Sequence, residues 1–365
     1  MSRIRVGILF GGRSAEHEVS LQSARNIVDA IDKNKYEIVL IGIDKEGGWH
    51  LDAGSRFLLQ TTESDLPDLS TGGENLAMVP GKQGEQLVLL SGRQTPGSLD
   101  VVFPILHGPF GEDGTVQGLL KLANIPFVGA GVLGSAVGMD KDVMKRLLRD
   151  AEIPIARFIT LQKYSANEVA FEDARNQLGL PLFIKPANLG SSVGIHKVRD
   201  REEFDRAVQD AFKYDNKVLI EECIVGREIE CSVLGNDQPM ASVLGEILPS
   251  HEFYSYEAKY LDENGAVLEI PAKLPQEISD RIRQTAIQTF SALCCEGMAR
   301  VDFFLRNGEE IIVNEINTIP GFTRISMYPK LWEASGLPYS ELIDKLISLA
   351  LEKFEREKGL NTDRT

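Results

Sequence analysis

The stretch that decides the fold is Arg300–Asn317, with the sequence RVDFFLRNGEEIIVNEIN. The Asn-Gly step at 307–308 is a strong two-residue turn signal, so these residues are predicted to form a β-hairpin. That turn places Asp302 opposite Val313. Because side chains alternate between the two faces of a strand, one face of the hairpin is polar and the other is mostly apolar. The polar face collects Arg300, Asp302, Glu315 and Asn317.

The polar face of this hairpin has the composition of a metal site. Two carboxylates and an amide oxygen are ligands of the kind that Mg²⁺ prefers, with substrate phosphates completing its coordination shell. The alternative is a solvated, salt-bridged surface that binds nothing, and the hairpin alone favours that alternative. A second segment of the chain reverses the preference.

That second segment is Lys185–Gly194, with the sequence KPANLGSSVG. Its lysine ends a predicted strand, and a loop rich in glycine and serine follows. Backbone N–H groups and hydroxyls in such a loop bind phosphate oxygens, and the lysine adds a positive charge. The Walker pattern GxxxxGK[ST] is absent, and a plain hairpin loop with a surface lysine is the alternative. Together, the loop and the polar hairpin face favour binding of a nucleotide with its metal.

The first third of the chain predicts an open α/β domain. Arg5–Phe10 is an apolar strand that ends in a Gly-Gly turn, and a helix with apolar spacing follows. This order predicts a parallel sheet with ligands at the carboxyl ends of its strands. Glu16 and His107 both follow predicted strands and are candidate ligand residues, although each also suits a structural role. The pattern GxGxxG is missing, which argues against a dinucleotide site.

Two further stretches have a weaker pattern. Residues 51–98 are polar and rich in glycine, and they are predicted to form an insertion with one or two hairpins. Leu122–Met139 is uncharged but contains Pro126 and four glycines. It is too interrupted for a membrane span and is predicted to form a buried strand and a turn.

Composition limits the class of protein. The chain has 365 residues, of which 43% are hydrophobic and 25% are charged, as in globular proteins of two or three domains. The net charge of −15 argues against a nucleic-acid or anionic-membrane partner, since either would require a basic face. The four cysteines form no CxxC pair. Neither a disulfide framework nor a zinc site is therefore predicted, and a cytoplasmic location is expected.

Several short motifs occur in one order along the chain. They are Gly11-Gly12-x-Ser14-x-Glu16-x-x-Val19-Ser20, His107-Gly108, Gly111-Glu-Asp-Gly114, Met139-Asp-Lys141, the Lys185–Gly194 loop, Glu257-Ala-Lys-Tyr260, Arg300-Val-Asp302 and Asn314-Glu-Ile-Asn-Thr-Ile-Pro-Gly321. Each motif alone is moderately specific, whereas the ordered set is highly specific. Over nearly its whole length the chain resembles the bacterial D-alanine–D-alanine ligases of the ATP-grasp superfamily.

The resemblance implies an α/β protein with a three-domain ATP-grasp architecture. An N-terminal open parallel α/β domain is expected at residues 1–138, with the insertion at about 51–98. A two-lobed α+β nucleotide-binding unit is expected to follow. Its central lobe would span 139–225 and its C-terminal lobe 226–357, with a lid at about 250–265 and a tail at 358–365.

The resemblance also implies an activity and its cofactors. Members of the family join two D-alanine molecules into D-alanyl-D-alanine, with ATP as cosubstrate and an acyl phosphate as intermediate, for peptidoglycan synthesis. Two Mg²⁺ ions, which Mn²⁺ can replace, would be bound by Asp302, Glu315 and Asn317. The implied partners are D-alanine and ATP, with neither nucleic acid nor membrane, and the implied assembly is a homodimer.

The family's site positions carry over motif by motif. The implied ATP-binding residues are Lys141, Lys185, Glu221, Ile224 and Glu228. The implied substrate-binding residues are Glu16, His107, Arg300, Gly321, Ser326 and Met327. The implied catalytic residues are Glu16, Ser191, Tyr260 and Arg300. Tyr260 lies in the lid and is expected to hydrogen-bond toward Ser191 and Glu16, whereas Glu222 departs from the pattern because some relatives have lysine there.

Three other functions compete with this one. A D-alanine–D-lactate ligase has the same fold, but ester-forming relatives have a histidine in the lid. Tyr260 favours D-alanine as the acceptor, because a phenol with a pKa of about 10 is neutral where a histidine with a pKa of about 6.5 can be cationic. A non-catalytic nucleotide-binding regulator would be expected to lack the metal face or Arg300. A dinucleotide-dependent oxidoreductase would be expected to have GxGxxG.

Overall fold

A computed structural model describes residues 3–51, 73–81, 84, 86–92, 97–168, 170–190, 193–249, 266–323 and 325–361. Within these residues the chain forms three β-sheets with helices packed against them, which confirms the predicted α/β class. The lid predicted at about 250–265 lies outside the described residues. None of the described helices is long and apolar enough to cross a bilayer. All four cysteines are free thiols.

The amino-terminal part of the chain builds a six-stranded sheet. Its elements are β1 (Ile4–Gly11), α1 (His17–Ala30), β2 (Tyr36–Ile43), β3 (Trp49–Leu51), β4 (Glu74–Met78), β5 (Leu87–Leu89), β6 (Val101–Pro104), α2 (Thr115–Leu122) and α3 (Val132–Met139). The strand order is β5-β4-β3-β2-β1-β6. β1 is parallel to β2 and β6, whereas β3, β4 and β5 are antiparallel. The sheet is therefore mixed and not wholly parallel as predicted, because the insertion extends its edge.

Two antiparallel sheets follow along the chain. The elements of the second sheet are α4 (Lys141–Asp150), β7 (Phe158–Gln162), a 3₁₀ turn (Lys163–Glu168), α5 (Phe171–Leu178), β8 (Leu182–Pro186), β9 (His196–Val198), α6 (Arg201–Ala211) and β10 (Lys217–Glu222). The elements of the third sheet are β11 (Arg227–Gly235), β12 (Met240–Pro249), β13 (Ala266–Glu269), α7 (Gln276–Ala292), β14 (Gly297–Arg306), β15 (Glu310–Asn317), α8 (Met327–Ala334) and α9 (Tyr339–Lys358). The strand orders are β7-β10-β8-β9 and β13-β12-β11-β14-β15.

Helix α4 begins at an N-cap that determines where its lysines lie. The Asp140 carboxylate accepts hydrogen bonds from the backbone N–H groups of Asp142 and Val143, both at 3.1 Å. Such a cap satisfies N–H groups that have no partner within the helix. Lys141 and Lys145 follow one turn apart and therefore lie on the same face of α4.

The end of the chain returns to the first sheet. Helices α8 and α9 contribute Tyr328 and Leu346 to the same buried core as Phe103 of β6. Phe322, which lies between β15 and α8, packs edge-on against Phe103 with 5.8 Å between the ring centroids. Its backbone N–H donates a hydrogen bond to Ser23 Oγ of α1 at 3.2 Å. The segment after β15 is thereby fixed against the amino-terminal sheet.

Strands β14 and β15 form the predicted hairpin, but the predicted register is wrong. Arg306 faces Glu310, and Asp302 faces Glu315 instead of Val313. The turn contains one residue more than predicted, and a bulge beside Asp302 adds a second shift. Because side chains alternate along a strand, two single shifts return the same side chains to the same face. The predicted polar face is present even though the pairing that predicted it is not.

Helix α3 lies where a strand and a turn were predicted. A Cβ atom added to Gly134 would lie 2.6 Å from the carbonyl oxygen of Cys294, and one added to Gly138 would lie 2.9 Å from Thr318 Cγ2. The two glycines are four residues apart and lie on one face of the helix. They let α3 approach its neighbours closely, so packing outweighs the low helix propensity of glycine.

This packing predicts opposite effects for two glycine-to-alanine changes. Gly134→Ala should lower the free energy of unfolding by about 1–3 kcal/mol, because its methyl group would overlap backbone atoms. Gly118→Ala in α2 is the matched control, since no atom lies within 4 Å of its added Cβ. The control should be neutral or stabilising by up to about 1 kcal/mol. Urea unfolding curves measure both, and equal shifts of the midpoint for the two variants would contradict this explanation of α3.

Candidate active site

A cluster of buried charges joins α4 to the second sheet. Lys185 is at the end of β8, and its Nζ lies 2.7 Å from Glu221 Oε2. Lys145 Nζ lies 3.2 Å from Glu221 Oε1 on the other side. Burial by itself would raise the pKa of Glu221, but the two ammonium groups hold it below its usual value. Burial lowers the pKa of Lys145. Lys185 and Glu221 were predicted from the sequence, whereas Lys145 was not.

Lys141 connects the predicted phosphate loop to the hairpin. Its Nζ donates a hydrogen bond to the carbonyl oxygen of Leu189 at 2.7 Å. The same Nζ lies 3.5 Å from Glu315 Oε2. Glu315 is a predicted metal ligand in β15 of the third sheet. Leu189 belongs to the predicted phosphate loop, which follows β8 of the second sheet. Lys141 therefore places its positive charge between the loop and the polar hairpin face.

The polar hairpin face is held together by Asp302. Arg300 donates to its two carboxylate oxygens through Nε and Nη2, both at 2.7 Å. Asn317 donates to Oδ2 of the same carboxylate through Nδ2 at 3.0 Å. Arg300 Nε also lies 2.9 Å from Glu230 of β11, a buried carboxylate that faces Asp302 in the adjacent strand. Glu230 was not predicted as a site residue, because it lies on a separate strand with no motif around it.

The donor atoms of this face fit Mg²⁺. Asp302 and Glu315 are directly opposite each other, and Asn317 contributes an amide group two residues further along β15. Within the described residues no group of three His, Cys, Asp or Glu side chains forms a metal site of its own. Two carboxylates and one amide leave several coordination positions open, which is the arrangement that suits Mg²⁺ bound together with phosphate oxygens.

Glu16 lies where loops from two different sheets approach each other. It is buried and precedes α1. A Cβ atom added to Gly108 would lie 2.9 Å from Glu16 Oε2, and one added to Gly190 would lie 3.3 Å from it. Gly108 follows β6 and Gly190 belongs to the phosphate loop. The structure therefore brings Glu16 next to both, and glycine at these positions permits the close approach.

His107 anchors the segment that follows β15. The ring is buried, with Nδ1 at 3.0 Å from the carbonyl oxygen of Ile319 and Nε2 at 3.4 Å from Ser23 Oγ. Burial lowers the pKa of His107, so the imidazole is neutral near pH 7. A neutral ring that donates from Nδ1 to Ile319 keeps this segment beside the amino-terminal loops.

Glu112 is a further acidic residue that the sequence analysis did not select. Its Oε1 accepts a hydrogen bond from the backbone N–H of Gly108 at 2.6 Å. Burial, with the nearby charge of Glu16, raises the pKa of Glu112 to about 8. Burial and the charge of Glu16 thus both favour the protonated form of this carboxyl group. The only signal in the sequence was its place within the motif Gly111-Glu-Asp-Gly114.

Ser326 and Gly321 meet in the turn before α8. A Cβ atom added to Gly321 would lie 2.8 Å from Ser326 Oγ. Ser326 Oγ also accepts a hydrogen bond from the backbone N–H of Thr323 at 3.0 Å. Met327 begins α8, and its side chain is buried in a small core with Leu331. The side chain of Met327 thus packs inward and leaves its backbone N–H at the start of a helix.

The residues predicted to bind the adenine and the ribose, Glu221, Ile224 and Glu228, lie at the end of β10, in the link to β11 and at the start of β11. The Glu222 side chain is held by Arg157, which donates from Nε at 2.9 Å and from Nη2 at 2.7 Å. Glu222 departs from the family pattern; its side chain is occupied by this ion pair, and its backbone N–H donates to the carbonyl oxygen of Arg157 at 3.0 Å. Ile224 and Glu228 are both partly exposed along the same link and the start of β11.

Two predicted catalytic residues lie outside the described residues. They are Ser191 of the phosphate loop and Tyr260 of the lid. Their roles therefore stay predictions. The other predicted site residues lie within the described part of the chain, and several of them are in contact around the start of α4, the end of β8 and the hairpin of β14 and β15.

Comparison with known proteins points to one family. The family model for the D-ala D-ala ligase N-terminus matches residues 5–130, and the model for the D-ala D-ala ligase C-terminus matches residues 147–348. A D-alanine–D-alanine ligase of Oceanobacillus iheyensis is 56% identical over 361 residues, which cover 99% of this chain and 99% of the relative. The D-alanine–D-alanine ligase A of Escherichia coli K12 is 54% identical over 362 residues, which cover 99% of this chain and 100% of the relative.

Solved structures agree with the sequence comparison. The D-alanine–D-alanine ligase of Coxiella burnetii superposes with a TM-score of 0.87 at 41% identity, covering 98% of this chain and 97% of that protein. The VanG D-Ala:D-Ser ligase of Enterococcus faecalis superposes with a TM-score of 0.85 at 38% identity, covering 96% of this chain and 100% of that protein. Both family models, the relatives and the solved structures lead to the same conclusion. The chain belongs to the D-alanine–D-alanine ligase family.

Proposed function

We propose that this protein uses ATP to join two D-alanine molecules into D-alanyl-D-alanine. The observation that carries the proposal is the position of Lys141. Its ammonium group contacts the phosphate loop through Leu189 and the metal-type face through Glu315. A nucleotide triphosphate with its metal requires these two elements side by side. Within a family of D-alanine–D-alanine ligases, that arrangement supports phosphoryl transfer as the first step.

In the first step the carboxylate of one D-alanine attacks the γ-phosphorus of ATP. The bond between that phosphorus and the bridging oxygen breaks, which leaves ADP and an acyl phosphate. Lys141 and Lys185 would offset the charge on the phosphoryl oxygens. Asp302, Glu315 and Asn317 would hold two Mg²⁺ ions, and bound Mg²⁺ supplies further charge neutralisation and orientation of the phosphates. Glu16 would bind the ammonium of this D-alanine and His107 would lie near its carboxylate.

In the second step the amine of the other D-alanine, after losing a proton, attacks the acyl carbon. The tetrahedral intermediate then loses inorganic phosphate and forms the peptide bond. Arg300 and the backbone N–H of Gly321 would stabilise the oxyanion. The hydroxyl of Ser326 and the backbone N–H of Met327 would bind the carboxylate of the second D-alanine, since a helix start attracts anions.

Closure against water is part of the proposal, because water would hydrolyse the acyl phosphate. Tyr260 in the lid would hydrogen-bond toward Ser191 and Glu16 and cover the site. The nucleotide would lie between the central lobe at 139–225 and the C-terminal lobe at 226–357, with its adenine at Glu221 and Ile224 and its ribose at Glu228. The amino-terminal domain at 1–138 would supply Glu16 and His107. A homodimer is the expected assembly.

The acceptor is the part of the reaction that the fold does not determine. A related solved structure is named a D-Ala:D-Ser ligase, whereas the curated relatives at 54% to 57% identity are named D-alanine–D-alanine ligases. These names support D-alanine and do not favour D-lactate. Tyr260 agrees with them, because a neutral phenol adds no positive charge that would repel the ammonium of D-alanine.

Phosphate release with a panel of amino acids tests the proposal. The protein should release phosphate from ATP when D-alanine is present but not when L-alanine replaces it, and mass spectrometry should identify the dipeptide. With D-alanine, D-serine and D-lactate in competition, D-alanyl-D-alanine should be the main product. A rate of ATP hydrolysis that does not respond to D-alanine would contradict the proposal, and a main product containing D-lactate would correct the acceptor.

The metal face gives a second prediction. Asp302→Ala and Glu315→Ala should each lower kcat by about two orders of magnitude or more at saturating Mg²⁺, because metal stabilisation is worth several kcal/mol. Glu310→Ala is the matched control, since Glu310 lies at the other end of β15 in an exposed ion pair with Arg306. The control should keep near-normal kcat. If all three variants retain the same kcat, the polar hairpin face is only structural.

A further inference from the structure

We propose that Lys145 is a positioning residue that keeps Glu221 anionic for the nucleotide base and so allows Lys185 to leave Glu221 for the phosphates. This inference deepens the proposed function and rests on ATP as the bound nucleotide. None of the sequence motifs includes Lys145. The evidence for its role is the geometry around the Glu221 carboxylate.

Lys145 is enclosed on every side. Its side chain has 0% exposure, and its Nζ lies 3.2 Å from Glu221 Oε1. The same Nζ lies 5.8 Å from the centre of the Phe158 ring. Phe158 and Glu221 face each other in the pairing of β7 with β10. The ammonium group is therefore held between an aromatic face and a carboxylate, both of which favour a cation.

A move of Lys185 to the phosphates would free one oxygen of Glu221 for a ligand. Oε1 is buried against the ammonium group of Lys145, 3.2 Å away, whereas Oε2 lies 2.7 Å from Lys185 Nζ. Once Lys185 has moved, Oε2 would be a buried carboxylate oxygen without a donor, which is unfavourable unless something else supplies the N–H. The 6-amino group of adenine is such a donor, whereas the 6-oxo group of hypoxanthine is not.

Lys185 explains why a second cation is needed. It contacts Glu221 Oε2 at 2.7 Å, yet it is also the lysine that opens the phosphate loop. If Lys185 were the only cation beside Glu221, its move to a phosphate would leave a buried carboxylate unpaired, which is strongly unfavourable. Lys145 contacts the opposite oxygen and has no access to the surface. It can therefore stay with Glu221 while Lys185 moves.

A purely structural ion pair is the competing explanation. It would change stability when Lys145 is replaced, but it would not change which nucleotide base is preferred. The ratio of the affinities for ATP and ITP distinguishes the two explanations, because the two nucleotides carry the same phosphates and ribose and differ in the base. Equilibrium binding measures this ratio without requiring turnover.

The experiment compares Lys145→Met with wild type by calorimetric titration of ATP and of ITP. The variant should bind ATP at least about tenfold more weakly and should lose most of the preference for ATP over ITP, since one unsatisfied hydrogen bond corresponds to about that factor. In the dipeptide assay KM for ATP should rise more than kcat falls. Lys145→Gln carries the same expectation and replaces Lys145→Met if that variant does not fold.

Two further variants complete the test. Glu221→Gln in the Lys145→Met background should add little to the loss of preference, because both changes act through one carboxylate. Lys353→Met removes another buried lysine, which donates to the Gly129 carbonyl oxygen far along the chain in α9, and it should leave the ATP/ITP ratio unchanged. An unchanged ratio in Lys145→Met, or a wild type with no preference for ATP, would overturn the inference. Binding of ATP without dipeptide formation would refute the proposed function while still testing Lys145.

Discussion

Pairing of buried charges is the constraint on which this site depends. An isolated charge out of water is unfavourable by far more than the net stability of a protein, so each buried ion needs a partner close by. Glu221 lies between Lys145 and Lys185, and Asp302 accepts from Arg300 through both oxygens. These contacts pair the charged groups in a region where a bound phosphate would meet little competing water. The same low polarity makes each charge effective on a reacting group.

The paired charges also determine how the parts of the chain come together. Lys141 of α4 spans from the phosphate loop to Glu315 of the third sheet. His107 of the first sheet's loops contacts Ile319 beyond β15. The glycines at 108 and 190 let backbone approach Glu16. Each contact joins elements that are distant in sequence, so the site exists only when the sheets are in place.

Local sequence patterns predicted the elements that carry strong local signals. The helix predicted after the strand Arg5–Phe10 and the hairpin around the Asn-Gly step are both present. The polar face of the hairpin was predicted correctly, because two single-residue shifts of the register return each side chain to its original face. The residue pairs were predicted wrongly, because a bulge has no clear signature in sequence. Helix α3 was missed because its glycines serve contacts with residues far along the chain, such as Cys294. Helix propensity depends on the residue type and contains no information about such contacts.

Contacts between distant elements also explain why some charged residues of the site were not predicted. Lys145, Glu230 and Glu112 look like ordinary polar positions in their own segments, and their importance comes from partners on other elements. The family resemblance selected residues by motif, so it included Lys185 and Glu221 but not the lysine that holds Glu221 from the other side. These residues meet their partners only in the folded protein, because the partners lie on other elements.

The central claim is that the site transfers phosphate from ATP to a carboxylate before the peptide bond forms. The most direct measurement uses D-alanine labelled with ¹⁸O in its carboxylate and follows the label in the inorganic phosphate released during dipeptide synthesis. If an acyl phosphate forms, one carboxylate oxygen leaves with the phosphate, so each phosphate should carry one ¹⁸O atom and the amide carbonyl should keep the other. Phosphate without label, released together with the dipeptide, would contradict the account.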